Sequence, residues 1–594
     1  MPAEDAAELL RRNALDDSIS ARAAVTFGER SWTHGEYFSE CCRVARLLAS
    51  VELIDRRPTL EPDPANPEEA RSVHVGVLLD NTPDYLFALG GAALAGATVV
   101  GLNHTRTGAQ LWRDLAHTDT DIVLTEGRHL AQLADAVSAH PVGAAVPPVL
   151  VSRRFDGPGA GEPVATPALR DVRDLDSALA EFPATDPGSR PGPDATWALV
   201  FTSGTSSDPK AVICSQRRLL KTGNRMSMLL GLGAEDVGYV CMPLFHSNAL
   251  MVGWAPSLVV GASVALARRF SASSWLPDVR RYGATWFNYT GKPLSYILAT
   301  PELPDDAENP VRVAFGNEGS PQVLDGFAER FAVQVIDAFG STEGAIAVNR
   351  DAEARPGAMG VAGDTVMVVD PEGNPCPLAE HDSRGRLANA EQCVGEIVNT
   401  AGGGPFEGYY NNPEATETAL RRGWYWSGDL GYLDEDRYLY FAGRTADWIR
   451  VDGENFPSGP IDEALASHPD VVVAAAYGVP DVHSGDQVMA SVVLREGVRF
   501  DPQGFASWLD GQSGLPPKWR PRYMRVASTL PTTGTNKVVK RTLVHHKYRP
   551  DRCGSDPLHF RERGSGAFAP FGAAEAEALK AEMVAAGRER FWDL

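Results

Sequence analysis

The chain has 594 residues, a formal net charge of −22, 43% hydrophobic residues and 22% charged residues. This length exceeds what one hydrophobic core usually supports, so at least two domains are predicted. A surface this acidic repels phosphate backbones and anionic lipid, which argues against nucleic acid as a partner but leaves nucleotide pockets open.

The N-terminal residues and the cysteines indicate the compartment. Residues 1–18 are charged and lack the apolar core of a signal peptide, so a cytoplasmic location is predicted. The seven cysteines form no CxxC pair and complete no zinc pattern with histidine. Buried thiols in a reducing compartment are the simpler interpretation.

Two long uncharged runs, residues 85–103 and 248–267, approach the length of a membrane span. Glycines interrupt both runs, and Pro256 interrupts the second. Each run therefore predicts a buried helix followed by a buried strand, and no membrane span is expected.

Strand-like and helix-like patterns alternate along the first half of the chain. Residues 72–81, 120–126, 147–152 and 283–291 have strand patterns and are separated by helical stretches. This alternation predicts an α/β fold with largely parallel sheets, which bind ligands at the carboxyl ends of their strands. Residues 141–194 are rich in proline, glycine and alanine and predict a surface excursion.

The pattern changes in the last third of the chain. Short strands punctuated by glycine predict a β-rich subdomain at about 395–445. One helix and two strands after residue 447 predict a small α+β unit. The expected division is an N-terminal domain of residues 1–445 and a C-terminal domain of residues 446–594.

The stretch "LVFTSGTSSDPKAV" at residues 199–212 carries many small hydroxyls and one lysine behind an apolar strand. Hydroxyls and exposed backbone N–H groups in such a turn suit phosphate oxygens, and Lys210 adds a positive charge. The stretch lacks the GxxxxGK[ST] pattern of common nucleotidases. Standing alone, it is also compatible with a polar surface loop.

Three further motifs follow in order: "FGSTEG" at 339–344, the glycine-rich segment 425–455 that contains Asp429, and "LPTTGTNKVVKR" at 530–541. Together with residues 199–212, they resemble the adenylate-forming superfamily. The phrases "PLFHSNAL", "GYYNNPEAT" and "SDPLHFRERGSGAFAP" look more specifically like the fatty-acid and very-long-chain acyl-CoA synthetases, including the fatty-acid-transport-protein branch.

The resemblance implies a large N-terminal α/β domain, a β-rich subdomain and a small mobile α+β C-terminal domain. It also implies that a carboxylate joins the α-phosphate of ATP, that pyrophosphate leaves, and that a thiol, usually of coenzyme A, attacks the acyl-adenylate. Both steps build negative charge on oxygen, so positioning and electrostatic stabilisation should dominate catalysis.

The resemblance also implies the roles of individual residues. Lys537 would place its ammonium between the carboxylate and the α-phosphate, Thr342 would touch the α-phosphate, and His246 would lie near the acyl carboxylate or the thiol entrance. Glu343 would coordinate Mg²⁺ with help from phosphates and water. The expected ATP-binding set is Thr202, Ser203, Gly204, Thr205, Lys210, Gly316, Asn317, Glu318, Asp337, Ala338, Phe339, Gly340, Ser341, Thr342, Asp429, Arg444 and Lys537. The expected acyl and acceptor pocket is His246, Trp254, Tyr289, Asn317 and Gly453.

Simpler interpretations stay open at several of these positions. Glu343 is compatible with a helix-starting carboxylate, Asp429 and Arg444 with surface ion pairs, and Lys537 with a solvated strand. His246 is compatible with a buried, hydrogen-bonded histidine. The aromatic residues are compatible with simple core packing.

Three positions depart from the family pattern. Ser207 stands where glycine is usual in the phosphate loop, Ala446 replaces the aspartate or lysine of the pivot, and Asn536 replaces a glycine before the lysine. Asparagine tolerates left-handed backbone geometry better than most residues. The alanine removes a polar partner at the pivot.

The leading functional prediction is an AMP-forming acyl-CoA synthetase that acts on a hydrophobic acid with ATP, Mg²⁺ and coenzyme A. Its partners would be a small-molecule acid, ATP and a thiol or amine acceptor, and the oligomeric state cannot be read from the sequence. Alternatives are a ligase to a carrier protein, a nitrite-activating diazotase acting on an aryl amine, and a binding protein without catalysis.

Overall fold

The fold is described from a computed structural model. It covers residues 4–50, 72–139, 146–156, 168–169, 171–202, 210–350, 355, 358–381, 387–444, 448–451, 454–482, 486–512, 515–534, 536–562 and 564–593. Four sheets of five or more strands organise these residues, and the two largest are mostly parallel. The predicted α/β fold class is confirmed.

Sheet I has seven strands, of which only the last in spatial order runs antiparallel to its neighbour. In spatial order its strands are Val172–Asp174, Val149–Ser152, Ile122–Glu126, His74–Leu78, Thr98–Gly101, Thr196–Phe201 and Ala211–Ser215. The first two lie within residues 141–194, so part of the predicted surface excursion forms the edge of this sheet instead.

Sheet II has eight strands, with a parallel centre and an antiparallel strand at each edge. In spatial order its strands are Ala347–Asn349, Gln334–Gly340, Val313–Asn317, Trp286–Thr290, Val237–Val240, Ser263–Leu266, Ala23–Phe27 and Arg30–Thr33. One large apolar core packs between the two sheets and their helices.

Helices connect and cover these strands. They are Ala6–Leu15, His34–Leu48, Pro83–Ala95, Gly108–His117, Leu130–Ser138, Leu175–Ala180, Gln216–Leu230, Ala255–Val260, Ala272–Tyr282, Gly291–Leu298 and Pro321–Phe331, with a π-helix at Asn248–Trp254 and a 3₁₀ turn at Gly127–His129. Thr33 and Glu36 close a capping box at the start of His34–Leu48.

Both apolar runs form the predicted buried helix and strand. In the first run, a Cβ added at Gly90 would lie 2.3 Å from Cys41 Sγ, and one at Gly91 would lie 2.5 Å from Val44. The two glycines therefore let the helix Pro83–Ala95 approach the helix His34–Leu48 closely. Within the described residues, no helix is both long and apolar enough to cross a bilayer.

Sheet III is antiparallel and begins N-terminal to the predicted bound of residue 395. Its strands in spatial order are Ala358–Val361, Tyr438–Arg444, Tyr425–Leu433, Gly395–Asn399 and Val366–Val369. The short elements beside it are Ala390–Cys393, Pro413–Ala419 and the 3₁₀ turn Arg421–Gly423. The first two strands of this sheet in chain order precede the region where the sequence pattern changes.

The C-terminal part has its own sheet, sheet IV, and its own apolar clusters. The strands in spatial order are Val471–Pro480, Asp486–Leu494, Tyr523–Val526, Leu558–Phe560 and Ala569–Pro570, preceded by the hairpin Trp448–Val451 and Glu454–Pro457. The helices are Gly459–Ala466, Pro502–Gly511, Lys540–His546, Ala573–Ala585 and Arg590–Asp593, with a 3₁₀ turn at Pro517–Trp519. This mixture of helices and strands agrees with the predicted α+β character.

Candidate active site

One large cleft collects the carboxyl ends of strands from both parallel sheets. Thr202 follows a strand of sheet I, Glu318 follows the strand Val313–Asn317, and Ser341 follows the strand Gln334–Gly340. All three residues line the cleft, together with Lys537 from the C-terminal part. Because parallel strands present their carboxyl ends at one edge, residues far apart in sequence meet there.

The expected phosphate loop is described only at its two ends. The Thr202 N–H donates to the Lys210 carbonyl at 3.0 Å, which closes the base of the loop. The Lys210 ammonium lies 5.5 Å from the centre of the Tyr409 ring. Ser203, Gly204, Thr205 and Ser207 lie outside the described residues, so their assignment stays a prediction.

Glu343 is buried, with 8% of its surface exposed, yet it lines the cleft. The Tyr409 hydroxyl donates to Glu343 Oε1 at 2.6 Å, and Arg218 donates to the carbonyls of Thr342 and Glu343. The hydroxyls of Thr342 and Ser247 lie 2.9 Å apart. These contacts fix the backbone and side chains of the "STE" turn in place.

Asp337, a member of the expected ATP-binding set, is held against the turn at Gly316–Ser320. It accepts hydrogen bonds from the Tyr289 hydroxyl at 2.9 Å and from Gly319 N–H at 3.1 Å. Burial raises the pKa of Asp337 to about 7, despite these two donors, and the Glu318 carboxylate adds to the increase. Gly316, Asn317 and the residues from Ala338 to Ser341 also line the cleft.

We expect Asp337→Asn to stabilise the protein at high pH. The carboxyl pKa rises from 3.8 to about 7 on folding, so the folded state binds more protons between these values and stability falls as the pH rises through them. Asparagine mimics the protonated form, so the free energy of unfolding should increase by at most about 4 kcal/mol near pH 8 and change little near pH 4. Urea denaturation at both pH values measures the difference.

Asp278→Asn is the matched control for this prediction. Asp278 also accepts a hydrogen bond from a tyrosine, Tyr239, at 2.8 Å. An equal gain in stability for Asp337→Asn at both pH values would contradict the proposed proton uptake at this carboxyl.

Asp429 belongs to sheet III and lines the same cleft. It is 6% exposed, and its Cα is paired with that of Arg444 across the sheet. The pairing brings the backbones of these two residues of the expected ATP-binding set together. The Arg444 side chain, Ala446 and Gly453 lie outside what the structure describes.

Lys537 projects into the cleft from a tight turn of the C-terminal part. Thr533 N–H donates to the Lys537 carbonyl at 2.7 Å, and Lys537 N–H donates to Thr533 Oγ1 at 3.1 Å. The Lys537 ammonium lies 2.5 Å from Glu318 Oε1. Asn536 has φ of 63°, so the left-handed geometry expected at this position is present.

The lysine turn docks on the N-terminal part through Gly534. A Cβ at this position would lie 2.6 Å from Phe245 Cζ and 3.3 Å from Asn103 Oδ1. The absence of a side chain therefore sets how deeply Lys537 enters the cleft.

We expect Gly534→Ala to slow adenylate formation roughly tenfold, because small displacements of a positioned group cost much of its effect. Pyrophosphate release measures the rate. Gly511→Ala is the control, since a Cβ there meets no atom within 4 Å. Equal rates in the two variants would contradict the docking role of Gly534.

His246 lines the same cleft beside the lysine turn. Burial, and then the Lys537 charge, lower the pKa of His246 to about 3, so its ring is neutral. Asn248 N–H donates to His246 Nδ1 at 3.3 Å, which leaves the ring proton on Nε2. The neutral ring is suited to donate a hydrogen bond to a carboxylate rather than to act as a cation.

The expected pocket walls Trp254 and Tyr289 have other positions. Trp254 is 3% exposed and stacks on Trp197 in the core with ring centres 5.8 Å apart. Tyr289 is fully buried behind Gly316 and reaches the site only through its hydroxyl. Trp254 is therefore a core residue, which is the simpler interpretation given above for the aromatic residues.

Sequence comparison identifies the family. Residues 68–410 match the family described as AMP-binding enzyme, and residues 460–537 match its C-terminal domain. The chain belongs to the AMP-binding enzyme family.

Two curated relatives of this AMP-binding enzyme are CoA ligases. A steroid-22-oyl-CoA synthetase of Rhodococcus jostii (strain RHA1) is 45% identical over 525 residues, covering 87% of this chain and 90% of the relative. The medium/long-chain-fatty-acid–CoA ligase FadD17 of Mycobacterium tuberculosis is 46% identical over 477 residues, covering 80% and 87%. The predicted family and ligase class are thereby confirmed.

A solved structure shares the fold at low sequence identity. The anthranilate CoA ligase AuaEII in complex with anthranoyl-AMP superposes with a TM-score of 0.73 at 20% identity, covering 91% of this chain and 96% of the other. The distant resemblance to fatty-acid transport proteins is also found: rat long-chain fatty acid transport protein 2 is 32% identical over 396 residues, 62% of each chain.

Sequence reasoning did not assign roles to Arg218, Tyr409 or Lys292, which also line the cleft. Tyr409 belongs to the phrase "GYYNNPEAT", which carries part of the family resemblance but implies no role for this tyrosine. Arg218 lies in the helix that follows the phosphate loop. An arginine so close to that loop in sequence could have been predicted to lie near the phosphates. No local pattern distinguishes Lys292.

Proposed function

We propose that this AMP-binding enzyme is an acyl-CoA synthetase that activates a hydrophobic carboxylic acid with ATP and transfers the acyl group to coenzyme A. The observation that carries the proposal is the entry of Lys537 into the cleft lined by Thr342, Glu343 and Asp429. The similarity to two CoA ligases with fatty and steroid acids in their names supports the acid class.

In the first step, a carboxylate oxygen of the acid attacks the α-phosphorus of ATP, and the bond to the pyrophosphate oxygen breaks. Lys537 neutralises the charges that approach each other, and the neutral His246 ring holds the carboxylate through its Nε2–H. Asp429, with two carboxylate oxygens, accepts hydrogen bonds from the ribose hydroxyls. Catalysis is then mainly positioning and charge stabilisation, and no protein nucleophile is needed.

Glu343 fits a role as a ligand for Mg²⁺. Its carboxylate is a hard oxygen donor at the cleft wall, and only Oε1 is engaged by the Tyr409 hydroxyl in the described contacts. When bound, Mg²⁺ would neutralise phosphate charge. Tyr409 would keep the carboxylate oriented toward the phosphates, and Arg218 would hold the backbone of the turn.

In the second step, the coenzyme A thiol attacks the acyl carbon, AMP leaves with the electron pair of the broken bond, and the thiol proton passes to solvent. Several methionines on the cleft wall, Met226, Met251 and Met359, give an adaptable apolar surface. This surface suits a bulky hydrophobic acid better than a small polar one.

A substrate panel tests the proposal. Purified protein is mixed with ATP, Mg²⁺ and acids of increasing size, such as acetate, dodecanoate and a steroid side-chain acid, with and without coenzyme A. We expect AMP and an acyl-CoA of matching mass for the large acids. AMP formation that needs nitrite and an aryl amine, or a carrier protein in place of coenzyme A, would replace the proposal with one of those activities.

A further inference from the structure

The segment that carries Lys537 is a short hairpin, which we call the lysine hairpin, from Pro531 to Val539. Thr533 N–H donates to the Lys537 carbonyl at 2.7 Å, and Val539 N–H donates to the Pro531 carbonyl at 2.8 Å. The helix Lys540–His546 begins directly after it. The direction in which the Lys537 side chain leaves the backbone therefore depends on how the base of this hairpin is held.

Lys540 is the first residue beyond the base of the hairpin, and its side chain turns back into the C-terminal part. Its Nζ donates to Ser458 Oγ and to Asp462 Oδ2, both at 2.6 Å. Only 19% of the Lys540 side chain is exposed, and Ser458 is buried. A charge-assisted pair at this distance, largely shielded from solvent, is stronger than an exposed ion pair.

Asp462 is itself fixed to the core of the C-terminal part. Its second oxygen, Oδ1, accepts a hydrogen bond from Ala476 N–H at 2.5 Å. Asp462 belongs to the helix Gly459–Ala466, and Ala476 belongs to the strand Val471–Pro480. The neighbouring side chain in the helix, Ile461, is fully buried in the apolar cluster of this part. Lys540 is thus joined to a rigid helix and strand.

We propose that Lys540 and Asp462 are positioning residues for Lys537. Their ion pair fixes the base of the lysine hairpin, whereas the contact of Gly534 with Phe245 fixes its tip. They act through the hairpin and not through a contact with the reacting atoms. The inference rests on the proposed function, because it assumes that Lys537 serves the first step.

The proposal has a physical reason in the length of the lysine side chain. A flexible four-carbon stem carries the Lys537 ammonium, so the backbone from which it starts must be fixed if the charge is to meet the carboxylate and the α-phosphate. The contact of Gly534 sets the position of the tip but not the direction of the hairpin. A second fixed point at the base limits rotation about the first.

Half-reaction kinetics test the proposal. ATP–pyrophosphate exchange with dodecanoate is measured for the wild type and Lys540→Met. The kcat for exchange should fall about tenfold in Lys540→Met, since a displaced catalytic group loses much of its effect. The KM for ATP should stay unchanged, because Asp429 and Glu343 belong to the N-terminal part. Conversion of dodecanoyl-AMP and coenzyme A to dodecanoyl-CoA should stay close to the wild type, because Lys537 has then completed its step.

Two matched variants separate positioning from general loss of structure. Lys540→Arg should keep most of the exchange rate, because arginine retains the charge and the donors for Asp462. Lys580→Met is the control for loss of a lysine, since Lys580 lies in the helix Ala573–Ala585 and is not among the described residues that line the cleft. It should exchange pyrophosphate like the wild type.

A double-mutant cycle tests whether Lys540 and Asp462 act as one unit. Asp462→Asn weakens the same ion pair from the other side but keeps an acceptor for Ala476 N–H. Effects of two residues in direct contact are not additive, so the double variant should be about as slow as Lys540→Met alone. Losses that multiply would show that the two residues act separately and would contradict the proposal.

A second measurement does not depend on activity. Hydrogen–deuterium exchange, read by peptide mass spectrometry, reports how firmly the lysine hairpin is held. Lys540→Met should raise the exchange rate of the peptide that contains the hairpin about tenfold, since the amides of Lys537 and Val539 lose protection when its base opens. Peptides from the strand Asp486–Leu494 should exchange as in the wild type.

The outcomes separate the two proposals. Unchanged pyrophosphate exchange in Lys540→Met, equal losses in both half-reactions, or unchanged deuterium exchange of the hairpin would each overturn the inference. If the wild type exchanges pyrophosphate with no acid of the panel, the proposed function fails. Deuterium exchange alone then decides whether Lys540 holds the hairpin.

Discussion

Lys537→Ala is expected to remove almost all acyl-adenylate formation while the protein stays folded. Lys537 is a cation of the C-terminal part that enters the cleft close enough to lower the pKa of His246. Loss of a preorganised charge at developing negative charge costs on the order of 10²–10³ in rate. Pyrophosphate release with ATP and dodecanoate measures the effect, and thermal unfolding checks the fold.

The second half-reaction provides an internal control for the same variant. Synthetic dodecanoyl-AMP and coenzyme A should be converted to dodecanoyl-CoA at a rate close to the wild type, because the α-phosphate bond has already formed. Arg541→Ala removes a nearby exposed cation that also lines the cleft and should leave both steps nearly unchanged. Normal pyrophosphate release in Lys537→Ala would refute its catalytic role.

Much of the fold follows from local patterns in the sequence. The run 85–103 forms the helix Pro83–Ala95 and the strand Thr98–Gly101. The apolar residues favour burial of both elements, and Gly96, in the left-handed conformation, ends the helix between them. The place of the strand Ala358–Val361 in sheet III, in contrast, does not follow from local sequence. Its pairing with Tyr438–Arg444 joins residues about 80 positions apart, and no local pattern encodes that partner.

The candidate site shows the same division. Thr342, Glu343 and Asp429 lie in motifs whose residue order is itself informative, and all three line the cleft. The ion pair of Lys537 with Glu318 joins two segments that are separated by more than 200 residues, so it appears only in three dimensions. Local sequence alone does not tell a buried aromatic from a pocket wall, which is why Trp254 was assigned to the pocket.

Glu343→Gln is the second change for which a large effect is expected. The substitution keeps the size of the side chain and its acceptor for the Tyr409 hydroxyl, but removes the charge. If Glu343 holds Mg²⁺, pyrophosphate exchange at millimolar Mg²⁺ should fall on the order of 10²-fold, and the Mg²⁺ concentration needed for half-maximal rate should rise.

The Tyr409→Phe variant distinguishes metal binding from a structural role of the carboxylate. Tyr409 donates to Glu343 Oε1 at 2.6 Å, so its loss disturbs the orientation of the carboxylate but leaves the charge in place. A smaller loss is therefore expected in Tyr409→Phe, and excess Mg²⁺ should recover it. Because a neutral amide is a far poorer Mg²⁺ ligand, the same excess should not recover Glu343→Gln. An unchanged Mg²⁺ dependence in Glu343→Gln would place the metal on phosphates and other residues instead.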